Sequence, residues 1–145
     1  PPPPPPEPEP ARPVIPTTSV GDQTSPSRSN PSRIIDKIYQ AAANRPVDPS
    51  GNASWPKRFP ILTSTANYDD LSAADQKQVT QAITQINNVF LHNVGKGREK
   101  TSGTPAADTY QKINRITSQG VAGDHLNDYL ATQSLHATVF AAVRR

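Results

Sequence analysis

Proline decides first what this chain can fold into. Eight of the first ten residues are proline, in the run PPPPPPEPEP, and only Pro105 follows Pro60. Proline lacks a backbone N–H and locks φ, so that run can neither join a sheet interior nor continue a helix. Residues 1–30 also hold too few apolar side chains to offset their ordering entropy, which predicts a disordered tail. Pro1, Pro2, Pro3, Pro4, Pro5 and Pro6 are expected to populate the polyproline II helix, about 3.1 Å per residue. Beyond Pro16 the composition turns to Ser, Thr, Gly, Asp and Gln, which reads as flexible coil. Any core has to come from the rest of the 145 residues.

The remainder carries helical rather than strand periodicity. A first helix is expected over Pro31–Ala43, with Asn30 as N-cap, Pro31 in the first turn, and Ile34, Ile35, Ile38 and Tyr39 on one face. Pro46 should end it. Residues 46–70 contain four prolines and are expected to be irregular, with Trp55, Phe59, Ile61 and Leu62 able to anchor them on a core. A second helix is expected after Ser72, with Asp75 three residues on, running to about Asn93. Its stripe is Val79, Ile83, Ile86 and Phe90, flanked by Ala82 and Val89, and Gly95 should stop it. A third should open at Thr104-Pro105 and carry Tyr110, Ile113 and Ile116 before Gly120. A fourth should open at Gly123-Asp124 and carry Leu126, Leu130, Leu135, Val139 and Val143.

The expected fold class is therefore mainly α. A disordered proline-rich tail (1–30) leads to one isolated amphipathic helix (31–47), an irregular linker (48–68) and a small antiparallel helical bundle (69–145).

Composition removes several functions. A net charge of +3 with 6% aromatic residues is too slight for a nucleic-acid surface, which needs a concentrated basic stripe with stacking rings. With no cysteine there is no disulfide, zinc-thiolate or cysteine nucleophile, and no run of eighteen apolar residues offers a membrane span. The absence of any methionine points to a processed or excised product. The loop NVGKGREKTSG lacks the contiguous Gly-Lys-Ser/Thr of a phosphate-binding loop, so Lys96, Arg98 and Lys100 read as solvated charge. His92, His125 and His136 come without a third neighbouring ligand; the His125/Asp128 spacing reads as helix-start chemistry. Asp69-Asp70 reads as pre-helix charge, no Gly-x-Ser-x-Gly elbow is present, and the triplet Asn52-Ala53-Ser54 is a chance-level sequon. No enzyme, metal or cofactor is expected.

Residues Arg33, Ile34, Ile35, Asp36, Lys37 and Ile38 follow in order a basic residue, two aliphatics, an acid, a variable position and an aliphatic. They resemble the helical part of the WASP-homology-two motif, an actin-monomer-binding element found beside proline-rich tracts. Arg45 and Val47 match the extended segment that follows it, whereas Asn44 stands in place of the usual leucine and Pro46 in place of a lysine. The resemblance covers about fifteen residues. It implies that Ile34, Ile35 and Ile38 enter a hydrophobic cleft on actin, a burial of about 4–8 kcal/mol before association costs, and that Arg33, Arg45 and Val47 assist. Pro1–Pro6 would then recruit profilin or another polyproline reader. A layout rich in Ser, Thr, Gln and Asn also resembles secreted bacterial effectors that act on a host cytoskeleton, which would put the protein in a host cytoplasm. The alternative is a generic adapter or scaffold, with the proline tract as spacer and the bundle as binding module. That alternative expects residues 31–45 to pack on the bundle. Oligomeric state is left open by the sequence.

Overall fold

The computed structural model describes residues 31–118 and 125–145, without the side chains of 116–118 and 125–128. The Pro1–Pro6 tract, the 1–30 tail, the Asn30 cap, Gly120 and the Gly123-Asp124 start lie outside the described residues, as do the Ile116, His125, Leu126 and Asp128 side chains. The described chain is mainly α: α1 (Ile34–Ala43), α2 (Pro49–Arg58), α3 (Ala73–Gly95), α4 (Pro105–Ser118) and α5 (His125–Arg144), with short 3-10 turns at Pro60–Thr63 and Tyr68–Asp70. Residues Arg33–Arg145 form one compact helical unit.

Local chemistry sets the helix starts. Ser72 Oγ accepts the Asp75 N–H at 3.1 Å to open α3, and buried Thr104 Oγ1 accepts the Ala107 N–H at 3.0 Å to open α4. Helix α1 begins at Ile34, three residues after the expected start at Pro31, with Arg33 as N-cap. Asp36 reaches back to accept the Arg33 N–H at 3.0 Å and also pairs with its guanidinium at 2.8 Å. That pairing raises the Arg33 pKa. At the other end, Asn44 takes a left-handed conformation, φ 54°, and its N–H caps the Gln40 carbonyl.

The 31–47 helix is not isolated. Helix α1 packs against α5, α4 and α3, and Ile34, Ile35, Ile38 and Tyr39 are all buried. With three large aliphatics on ten residues, α1 carries more apolar area than a short solvated helix tolerates, and the shortest route to burying it is the neighbouring bundle. The 48–68 linker is likewise ordered. Asp48 Oδ1 accepts the Gly51 N–H at 2.7 Å and Pro49 occupies the first turn of α2, where a missing N–H costs nothing. Pro56 lies inside α2; its lost bond is offset by burial of Phe59 and Leu62 and by the Trp55–Phe59 ring stack at 6.5 Å. Gln78 and Gln76 of α3 then hold this segment, accepting from Ile61 N–H and donating to the Tyr68 carbonyl, each at 3.0 Å.

In α3 the stripe of Val79, Ala82, Ile83, Ile86 and Phe90 faces the core, while Val89 turns outward at 43% exposure. In α5 the buried series is Ala131, Leu135, Val139 and Val143, a spacing of four. Leu130 falls five residues before Leu135 and is rotated off that face, 53% exposed. The end of α5 is clamped by Tyr68 and Phe140, edge to face at 5.0 Å, beside an Arg144–Asp69 ion pair at 3.0 Å.

Half-buried His136 has a buried Nε2 with no partner among the described residues, and burial lowers its pKa below 6.5. As pH falls below about 6.5 the unfolded chain takes up this proton before the folded one does, so stability contributed by neutral His136 is present above that pH and lost below it. The melting temperature is expected to fall between pH 7 and pH 5, and His136→Gln to flatten that fall; equal slopes would place the cause elsewhere.

Candidate functional site

The residues singled out by the resemblance are brought to two places. Ile34, Ile35 and Ile38 sit in the core at 0–1% exposure. Arg33 is engaged by Asp36 at the start of α1. Val47 is half-buried against the core. The face implied for actin is therefore occupied by this protein's own helices.

Arg45 takes part in a different arrangement. Its guanidinium forms a two-point pair with Glu99, Nε to Oε1 at 3.1 Å and Nη2 to Oε2, and lies 5.2 Å from the Tyr39 ring centroid and 5.5 Å from that of Phe90. Tyr39 and Phe90 themselves meet edge to face at 5.0 Å. The hydrogen bond to Glu99 raises the Arg45 pKa, so this cation stays charged. Glu99 is the one acid among Lys96, Arg98 and Lys100. Its side chain is only 12% exposed, whereas the three cations face solvent. The loop after α3 is thereby fastened to the end of α1, helped by Asn44 Nδ2 donating to the Gly103 carbonyl at 3.3 Å.

These groups line a cleft of about 200 Å³ between α2 and the C-terminal part of α3, closed by Tyr39, Asp48, Gly51, Trp55, Val89 and Asn93. Tyr39 is buried, and burial is the main reason its hydroxyl is held above its ordinary pKa. The close approach depends on Gly51, because a Cβ there would collide with the Tyr39 hydroxyl. Alanine would ordinarily strengthen a helix by about 1 kcal/mol over glycine. Here Gly51→Ala is expected to do the reverse, lowering the melting temperature and changing Trp55 emission. A stabilised variant with unchanged emission would show that Tyr39 yields without cost.

Among the described residues no cluster of His, Asp and Glu could hold a metal ion, and no helix is long and apolar enough to cross a membrane. Compared with known protein families, curated proteins and solved structures, the chain shows no match. The sequence named Arg45 for another role and passed over Asp48, Gly51, Asn93 and Glu99. Glu99 stood out only as the lone carboxylate in a basic loop, and nothing in that stretch pointed to Arg45 as its partner.

Proposed function

We propose that this protein is a non-catalytic adapter: the folded unit is a docking module and the proline tract a second arm for a polyproline-reading partner. The observation that supports this reading is the packing of α1 into the core, with Ile34, Ile35 and Ile38 sealed from solvent. An adapter with a free bundle surface needs that burial; an actin-cleft helix would need the same face open, at the cost of unpacking the unit. The cleft's size argues in the same direction. At about 200 Å³ it falls below the roughly 300–1,000 Å³ of small-molecule sites, and it suits one side chain of a partner.

Profilin or a WW domain titrated into the full chain is expected to bind, and to lose binding when Pro1–Pro6 are replaced by serine. Pyrene-actin assembly is expected to be unchanged by the folded protein at tens of micromolar. Sequestration of monomeric actin by the protein, with its melt intact, would overturn the adapter reading in favour of the actin motif.

A further inference from the structure

We propose that the loop after α3, residues 96–103, is a docking surface of the folded arm and takes an acidic segment of a partner polypeptide. The inference rests on the adapter reading and names what that arm binds. Lys96, Arg98 and Lys100 are all exposed, and their side chains make no ion pair or hydrogen bond among the described residues. Glu99, the acid between them, is turned inward and neutralised by Arg45. The loop therefore shows solvent three cations and no anion. Like charges held this close repel one another until an anion arrives.

Cations that follow a helix commonly serve the carbonyls of its last turn. Here those carbonyls are already satisfied by the backbone. The His92 carbonyl accepts the Lys96 N–H and the Val94 carbonyl the Gly97 N–H, each at 3.1 Å. The Asn93 carbonyl accepts from Arg98 at 2.8 Å and from Glu99 at 3.3 Å. The loop is also tied down beyond the helix, by Glu99 on Arg45, by Asn44 Nδ2 on the Gly103 carbonyl at 3.3 Å and by Gln111 Nε2 on the Thr101 carbonyl. The cations are thus displayed on a fixed frame, which lowers the ordering cost of binding. The same bonds select the ligand. With the N–H groups of residues 96–99 spent, no backbone nest is left for a single phosphate. The stretch KGREKTSG has no apolar or aromatic side chain to enter a lipid surface or stack on a nucleobase. Carboxylates carried along a peptide need only the ammonium and guanidinium groups that the loop presents.

Fluorescein-labelled hexaglutamate titrated with the full chain is expected to give a saturable rise in anisotropy that weakens with added salt. The combined variant Lys96→Gln, Arg98→Gln, Lys100→Gln should weaken this binding by about tenfold or more with an unchanged melt. Arg98→Gln alone, with a loss of about threefold, serves should the combined variant not fold. The control is Lys57→Gln, Lys77→Gln, Arg145→Gln, which removes three exposed cations elsewhere and should bind as the parent does. The proposal is overturned by an absence of saturation, by a folded loop variant that binds as the parent does, or by an equal loss in the control, which would leave net charge as the cause. Tighter binding of labelled hexathymidylate or of phosphatidylserine vesicles than of hexaglutamate would overturn it in favour of nucleic acid or membrane. Any of these would leave the proline arm's own titration standing, so the two failures are distinguishable.

Discussion

Ile38→Ala should lower the unfolding free energy of the 33–145 unit by about 2–5 kcal/mol, the usual cost of emptying a fully buried aliphatic position. Ile38 is 0% exposed, as is Ile35 three residues earlier on the same face. Because domains of ordinary stability hold only about 5–15 kcal/mol in reserve, Ile38→Asp should abolish the cooperative transition altogether by burying an unpaired carboxylate. Urea titration followed by circular dichroism reads both. A fully folded Ile38→Asp protein with the parent midpoint would mean that α1 is dispensable to the core, and its isoleucines would then be free for an external cleft. The same experiment governs the actin question, since any loss of actin activity in an isoleucine variant means little until its fold has been checked.

Asn87→Leu should act in the opposite direction. Asn87 lies on the core face of α3 at 0% exposure, and neither its Oδ1 nor its Nδ2 has a partner among the described residues. Leucine has nearly the same shape and no polar atom to desolvate, so the exchange should stabilise the unit by about 1–3 kcal/mol. For a domain near this size that is a rise in melting temperature of about 4–8 °C per kcal/mol. A fall instead would show that the Asn87 amide is hydrogen-bonded in solution and that its polarity is part of what specifies this packing.

The four strongest periodic segments were legible in the sequence because helix periodicity and caps are local. Ser72 with Asp75, and Thr104 with Pro105, each announced a helix start within four residues, and both caps are present. Helix α2 was not legible. Four prolines between residues 46 and 60 read as punctuation, although Pro49 stands where a helix welcomes proline and Pro56 is tolerated through the burial of Phe59 and Leu62 beyond it. The outward turn of Leu130 was also hidden, because a stripe read by eye accepts spacings of four and five alike, and packing on α1 and α4 accepts only one.

What the sequence determined by itself is thus the helical class, the starts of α3 and α4, and the apolar face of α1. Where that face goes was a tertiary decision. Three isoleucines on ten residues demand burial, and the pattern is the same whether the burying surface is a partner or the chain's own bundle. Proximity along the chain resolves the choice, because closing on α5, α4 and α3 costs no translational entropy. The cleft followed from the same step. Arg45, Asp48, Trp55 and Glu99 are spread over fifty-five positions of sequence, and only the docking of α1 and α2 onto α3 brings them within reach of one another.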